Sequence, residues 1–192
     1  MAGSAMLSAA LVALVICAGS AGAQVPAGSY KVDPGRTRVV FELSRFGFIT
    51  YRGQFVGASG TLAFDPAAVA ATRLEVSVPM TGVTMASHEL GRWLEGPAWF
   101  DAAAFPVMTF RSTLVAATGA NTANVTGDLT LHGVTRPVTL KVRFNPAGSD
   151  RSLGFEARGR IRRSDFGVGR YAFLIGDAVD LNINAAFQRV GA

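Results

Sequence analysis

The sequence predicts an all-β fold in which consecutive antiparallel strands close into a barrel. Apolar and polar residues alternate along several runs, as they do in strands with one buried face. Short clusters of Gly, Pro, Asn and Asp separate these runs, as expected for tight turns. One longer stretch, residues 85–106, departs from the pattern. No repeat or low-complexity linker divides residues 24–192, so we expect one domain.

The alternation is clearest in four runs. They are RVVFELSRF (38–46), RLEVSVPM (73–80), VTLKVRF (138–144) and DAVDLNINAAF (177–187). In VTLKVRF, for example, Val138, Leu140 and Val142 share one face, and charged residues lie on the other. Turns are predicted at PGR (34–36), DPA (65–67), TGAN (118–121), HGV (132–134) and NPAGSD (145–150). This spacing leaves room for eight or nine strands.

Residues 85–106 predict a short helix followed by an aromatic loop. Ser87 is a suitable N-cap, and Glu89 places a carboxylate in the first turn of the helix.

The strand pattern favours an up-and-down barrel over a sandwich, because closure leaves no exposed sheet edge. Small residues occupy inward positions on three strands, at Ser112, Gly127, Ala157 and Gly159. They favour a hollow barrel with a ligand in it, since strand glycines often mark a close approach. The alternative is that they mark bulges or corners.

The first 23 residues predict a cleaved signal peptide. Leu11 to Ala18 are uniformly apolar, and AGA at 21–23 supplies the small residues of a cleavage site after Ala23. The segment has no Lys or Arg, which is unusual for such a leader. Acylation at Cys17, the only cysteine, is the alternative. Cleavage after Ala23 would leave a mature domain of residues 24–192 without thiol chemistry.

The remaining chemistry is sparse. Two histidines, His88 and His132, lie far apart in the sequence, so we expect no metal site. There is no nucleophile motif, P-loop or dinucleotide fingerprint, and no catalytic residue or cofactor is expected. His132 is interpreted as a turn residue ordered by a hydrogen bond. The net charge of +5 suits anionic partners, but without basic runs nucleic acid is not expected.

Several segments together resemble the YceI-like family of exported bacterial lipid-binding proteins. The most specific are LTLHGVTRPV (129–138), FPVMTFRS (105–112) and RSDFG (163–167). YKVDPGRTRVVFELSRFGF (30–48) and DAVDLNINAAF fit the same order of segments. The resemblance runs from about Ser29 to Phe187. It implies an extended eight-stranded antiparallel lipocalin-like barrel around a hollow apolar tunnel, which holds a polyisoprenoid or another long-chain amphiphile.

The resemblance also implies which residues line the tunnel. The wall residues are Phe41, Leu43, Phe55, Leu74, Val76, Val78, Phe110, Leu114, Leu129, Leu140, Val142, Phe155, Ile161, Leu181 and Ile183. The aromatic loop, with Trp93, Trp99, Phe100 and Phe105, is expected to close or line the tunnel.

The sequence departs from the family at two places. Family members commonly carry histidine at the positions of Arg36 and Arg45. Arginine keeps its charge at every physiological pH and can bind a phosphate through two hydrogen bonds at once. Arg36 and Arg45 are therefore the head-group candidates; the alternative is that they form salt bridges that support the fold.

These features favour a periplasmic or secreted carrier for a long-chain isoprenoid or fatty lipid, without catalytic activity. A lipid-modifying enzyme and a stress protein with no fixed ligand are the alternatives. A membrane-embedded barrel is disfavoured, because Lys141, Arg143, Arg158 and Arg160 occupy outward positions. Whether the protein forms a homodimer stays open.

Overall fold

The computed structural model describes residues 25–145, 151–170 and 174–191. The signal segment predicted at residues 1–23 and most of the NPAGSD turn lie outside the described residues. The strands are β1 (Gly28–Val32), β2 (Arg38–Arg45), β3 (Ile49–Phe55), β4 (Ser59–Phe64), β5 (Arg73–Pro79), β6 (Thr84–Met85), β7 (Val107–Gly119), β8 (Thr122–Leu131), β9 (Val134–Asn145), β10 (Ser152–Arg162) and β11 (Ile175–Arg189). The α-helix α1 spans His88–Glu95, and 3₁₀ turns span Val69–Ala71 and Arg163–Phe166.

These eleven segments form an eight-stranded antiparallel barrel, which confirms the predicted fold class. Around the ring the order is β1, β4, β5, β7, β8, β9, β10 and β11, and β11 pairs again with β1. β2 continues β1 along the same edge of β11, since Val32 pairs with Phe187 and Val39 with Ile183. β3 and β4 likewise form one interrupted strand against β2 and β1. Closure pairs each of these eight strands with a neighbour on both sides.

The interruption between β1 and β2 is held by side chains. The Thr37 hydroxyl donates to the carbonyl of Ala186 at 3.2 Å and accepts from its N–H at 3.0 Å, in place of backbone pairing. The Asp33 carboxylate accepts from the N–H groups of Gly35 and Arg36. Residues 34–36 therefore bend outward, away from the barrel interior.

The barrel has two different ends. At the helix end lie α1, the β2–β3 hairpin and the β8–β9 hairpin; at the far end lie the β7–β8 hairpin and the start of β1. The predicted helix is confirmed, with the Ser87 hydroxyl accepting from the N–H of Leu90. The Glu95 carboxylate ties the helix to the preceding loop by accepting from the N–H groups of Gly82 and Val83.

The β8–β9 hairpin turns at His132 and Gly133, as predicted. Both residues have positive φ, +51° and +73°, which suits the tight turns that connect twisted antiparallel strands. The His132 ring packs on Phe105, with ring centroids 4.6 Å apart. Among the described residues this ring contact, and not the expected hydrogen bond, holds the imidazole.

Two of the inward glycines accommodate large neighbouring side chains. A Cβ added at Gly127 would lie 2.5 Å from the Phe110 ring, and one added at Gly159 would lie 2.6 Å from Leu140. A third strand glycine, Gly53, is covered by Phe41 in the same way. These glycines therefore let a neighbouring side chain lie flat across the strand, which neither of the two sequence interpretations foresaw.

The placement of Leu114 in the tunnel wall was wrong. The pairing of β7 with β8 shifts register between Ser112 and Leu114, which inserts one extra residue into β7. Leu114 consequently points outward and is 61% exposed, whereas Val115 is buried in the barrel. The hydroxyl of Ser112, beside this bulge, accepts from the N–H of Leu74. At Ser112 the alternative interpretation, a bulge, is confirmed.

Candidate ligand-binding cavity

A cavity of about 350 Å³ occupies the interior of the barrel, within the range of small-molecule sites. Each of the eight strands contributes apolar side chains to its wall. They alternate along the strands, as with Leu74, Val76 and Val78 of β5, because successive side chains point to opposite faces of a sheet. Polar atoms are few in this wall, so the cavity favours an apolar chain.

Aromatic rings concentrate in two clusters along the cavity. Towards the far end, Phe155 lies 5.3 Å from Phe144 and 5.7 Å from Phe187 between ring centroids. Towards the helix end, Phe55 lies 5.2 Å from Phe41 and 5.6 Å from Phe100. Such rings offer large, rigid apolar surfaces on which a hydrocarbon chain can pack.

The structure places all the sequence-predicted tunnel residues in the cavity wall except Leu114, Trp93 and Phe105, whose ring packs on His132 instead. The residues so placed are Phe41, Leu43, Phe55, Leu74, Val76, Val78, Trp99, Phe100, Phe110, Leu129, Leu140, Val142, Phe155, Ile161, Leu181 and Ile183. Trp93 lies outside the cavity, where its ring packs on Trp99 at 4.7 Å. Contact of the wall residues with a ligand stays a prediction.

Sequence reasoning also missed wall residues. Phe64, Phe144 and Phe187 line the cavity. Phe144 and Phe187 end two alternating runs that were predicted to be strands. Extending the alternation to the ends of these runs would have predicted both residues in the cavity wall. Val115 could not be found in this way, because the bulge that turns it inward leaves no mark in the alternation.

A buried arginine closes the helix end of the cavity. Arg163 follows β10, is 4% exposed and lines the cavity wall. Its guanidinium donates to the backbone carbonyls of Val168, Arg170, Ile175 and Gly176. It also lies 5.3 Å from the centre of the Trp99 ring. Burial lowers the pKa of Arg163, and the nearby charge of Asp177 opposes this shift.

This arrangement ties two segments that follow Arg163 to the cavity wall. One side chain donates to four backbone carbonyls, which makes Arg163 an anchor for Val168, Arg170, Ile175 and Gly176. The RSDFG motif does not by itself indicate this role, because an arginine at the end of a strand is usually exposed.

A groove lies against the outside of this closed end. It is lined in part by Arg45, Tyr51 and Trp93. Leu43, Leu94 and Trp99 line both the groove and the cavity, so they form the partition between them. The groove and the cavity are therefore neighbours that share these three side chains.

Arg45 is the charged residue of the groove. Its Nη1 donates to the Tyr51 hydroxyl at 2.7 Å, and its guanidinium carbon lies 4.9 Å from the centre of the Phe46 ring. Its Nε is buried and has no acceptor among the described residues. An acceptor brought by a ligand would satisfy this donor.

The structure separates the two head-group candidates. Arg36 lies exposed in the turn between β1 and β2 and does not line the cavity or the groove. Arg45 lies at the other end of β2, about 23 Å further along the extended strand. One head group cannot contact both side chains.

The described residues contain no group of three His, Cys, Asp or Glu side chains close enough to hold a metal ion. His88 begins α1, whereas His132 lies in the β8–β9 turn. Within the described part of the chain, no helix is both long enough and apolar enough to cross a bilayer.

The model of the YceI-like domain matches residues 30–187. The chain belongs to the YceI-like family. This YceI-like chain is 36% identical over 171 residues to a UPF0312 protein of Pseudomonas fluorescens (strain SBW25), an alignment that covers 85% of this chain and 88% of that protein.

Several solved structures share the fold of this chain. The crystal structure of Burkholderia cenocepacia BcnA matches with a TM-score of 0.75 and 27% identity, covering 81% of this chain and 98% of BcnA. A Campylobacter jejuni YCEI protein matches with a TM-score of 0.67 and 26% identity, covering 72% of this chain and 85% of that protein chain. A polyisoprenoid binding domain from Saccharophagus degradans matches with a TM-score of 0.66 over 84% of this chain and 98% of that domain. At 16% identity, this last match shows a common fold alone.

Proposed function

We propose that this YceI-like chain is an exported carrier that holds a long-chain amphiphile, an isoprenoid-type lipid in the first place, inside its barrel. The observation that carries the proposal is the cavity, which is enclosed by apolar side chains from every strand of the barrel. Transfer of apolar surface out of water contributes about 25 cal/mol per Å². A hydrocarbon chain threaded through the cavity would be stabilised along the part of its length that the wall encloses.

One structure of the same fold motivates the choice of an isoprenoid-type ligand. The Saccharophagus degradans domain, which has the same fold, is a polyisoprenoid binding domain. The wall also contains many branched Val and Leu side chains, against which the branched methyl groups of an isoprenoid could pack. A fatty acid, fatty amide or quinone is the alternative occupant. Export rests on residues 1–23, the predicted signal peptide.

We further propose that the polar head of the ligand lies in the groove beside Arg45. The groove borders the cavity through Leu43, Leu94 and Trp99. Movement of the Leu94 and Trp99 side chains would join the two spaces. A phosphate in the groove could then accept from the Arg45 guanidinium, whose Nε has no acceptor among the described residues.

Native mass spectrometry of the protein purified from its own host, followed by lipid extraction, tests the carrier function. We expect one long-chain lipid per protein, with fragment masses spaced by isoprene units. Recovery of a fatty acid or fatty amide of one mass would support the carrier function but assign it a different class of ligand. Protein that is repeatedly empty, and that takes up no long-chain lipid from detergent micelles, would exclude the proposed function.

A further inference from the structure

Exposed apolar side chains are concentrated at the helix end of the barrel. Those at the helix end are Phe46, Phe48, Ile49, Trp93 and Val107, whereas Val56, Leu114 and Val190 are scattered elsewhere on the described surface. Three of them, Phe46, Phe48 and Ile49, lie within four residues of each other in the β2–β3 hairpin. We call residues 46–49 of this hairpin the aromatic tip.

The aromatic tip projects its rings into solvent. Phe48 is 80% exposed and Phe46 is 49% exposed, and their rings stack with centroids 6.3 Å apart. The tip is nevertheless anchored, because the N–H of Phe46 donates to the carbonyl of Leu174. Phe46 and Gly47 adopt positive φ, +54° and +79°, which turns the chain sharply between the paired residues Arg45 and Ile49.

The tip has an arginine directly behind it and no acidic residue within it. The segment RFGFITYR, residues 45–52, contains two arginines and no acidic residue. Arg52 pairs with Glu42, whereas Arg45 has no carboxylate within ion-pair distance among the described residues. Arg45 lies directly behind Phe46 and donates a hydrogen bond to the Tyr51 hydroxyl. Aromatic rings in front of a guanidinium are the combination that inserts into the head-group region of a bilayer and contacts lipid phosphates.

The tip also lies beside the groove. Arg45 and Tyr51 line the groove and flank the tip on its two strands. Trp93, which is 47% exposed on α1, lines the opposite wall. A surface that covered the tip would therefore also cover the mouth of the groove, and behind the groove lies the cavity.

We propose that the aromatic tip docks this protein onto the surface of an anionic phospholipid bilayer, with Phe46 and Phe48 inserted among the head groups. Docking in this orientation presents the groove to the bilayer, and the ligand enters and leaves the cavity there without crossing water. The docking rests on the tip alone; the transfer of ligand rests on the carrier function proposed above.

Vesicle flotation tests the docking. The full-length chain is expressed, the exported protein is purified and its N-terminus is checked by mass spectrometry. It is then mixed with vesicles of phosphatidylethanolamine and phosphatidylglycerol. We expect the protein to float with the vesicles, and Phe48→Ser to reduce the floating fraction at least about tenfold, since each inserted ring buries most of its surface. Asparagine tolerates the positive φ at position 46, so Phe46→Asn should also reduce the floating fraction.

Leu114→Ser is the matched control, because it removes an exposed apolar side chain from the barrel wall. It should float as the unaltered protein does. Unaltered protein that stays in solution, or Phe48→Ser protein that floats as well as Leu114→Ser, would overturn the proposal. Loss of a concentration-dependent dimer in Phe48→Ser, with no flotation of the unaltered protein, would also overturn it and would assign the tip to self-association.

A loading assay separates this proposal from the carrier function. Phe48→Ser should take up lipid from detergent micelles to the same final stoichiometry as the unaltered protein, but should load several-fold more slowly from vesicles. Equal loading rates from vesicles would overturn the proposed route. Failure of the unaltered protein to load from either source would exclude the carrier function, while flotation would still decide the docking.

Discussion

The ring of Phe110 lies against the backbone of Gly127 on the neighbouring strand. A Cβ at Gly127 would lie 2.5 Å from the ring and 2.4 Å from the carbonyl oxygen of Arg111. The ring could rotate away, but the carbonyl belongs to the paired strand and could not. The glycine is therefore required by the close contact of two strands as well as by the shape of the cavity.

Gly127→Ala should lower the free energy of unfolding by about 1–3 kcal/mol, the usual cost of overpacking a well-filled site. Gly154→Ala is the control, since a Cβ there would meet its nearest atom at an ordinary 3.7 Å. Urea unfolding at neutral pH measures both. Equal stability of the two variants would contradict the close contact at Gly127.

Arg163 should be needed for stability. Arg163→Met leaves four backbone carbonyls without their donor, and each buried unsatisfied group costs about 1–3 kcal/mol unless water reaches it. We expect a loss of at least about 2 kcal/mol, with faster hydrogen exchange in residues 168–176. Arg158→Met, exposed on the strand that precedes Arg163, should change neither measurement. Similar effects of both substitutions would contradict the anchoring role.

Asp177 should make stability depend on pH in the acid range. Burial opposes ionisation of its carboxyl, but hydrogen bonds from Ser164 and the charges of Arg163 and Arg162 outweigh burial and hold its pKa below the usual value. Because the folded-state pKa is the lower one, this stabilisation is present above about pH 4 and is lost as the pH falls through the folded-state pKa. Asp177→Asn should reduce that dependence.

Urea unfolding of the two proteins between pH 7 and pH 2 measures this effect. Their difference in unfolding free energy should be constant near neutrality and should shrink in acid. A difference that stays constant down to pH 2 would show that Asp177 contributes nothing through its charge. Asp180 titrates in the same range, because Arg160 lowers its pKa, and it is common to both proteins.

The head-group proposal predicts different effects for the two arginines. Arg45→Gln should weaken binding of a polyprenyl phosphate about tenfold or more, the value of a hydrogen bond to a charged group, and should leave the corresponding alcohol nearly unaffected. Arg36→Gln is the matched control, since Arg36 lines neither the groove nor the cavity. Equal losses for the phosphate and the alcohol would assign Arg45 a structural role.

Much of the fold could be predicted because a barrel strand has one apolar face. The alternation in RLEVSVPM and VTLKVRF assigned Leu74 and Leu140 to the interior, where they lie. The alternation failed at Leu114, where a bulge turns Leu114 outward and brings Val115 and Ala117 to the inner face. The position of a bulge depends on how the strand pairs with its neighbour, so the local sequence pattern does not indicate it.

The polar parts of the site were harder to predict, since they depend on distances across the fold. Arg36 and Arg45 were considered together because both replace the same family residue, yet the turn at residues 34–36 and the length of β2 place them at opposite ends of that strand. Arg163 was missed because its partners are carbonyls of residues 168–176, and backbone carbonyls carry no residue-specific signal.

The central claim is that the lipid chain lies inside the barrel, and a substitution that fills the cavity tests it most directly. Ala157 is buried and lines the cavity, whereas Ala116 points outward from β7. Ala157→Phe should abolish uptake of a polyprenol as measured by native mass spectrometry, and the smaller Ala157→Leu should weaken it while the barrel stays folded. Ala116→Phe should bind one lipid per protein, as the unaltered chain does. Undiminished uptake by folded Ala157→Phe and Ala157→Leu protein would contradict the claim.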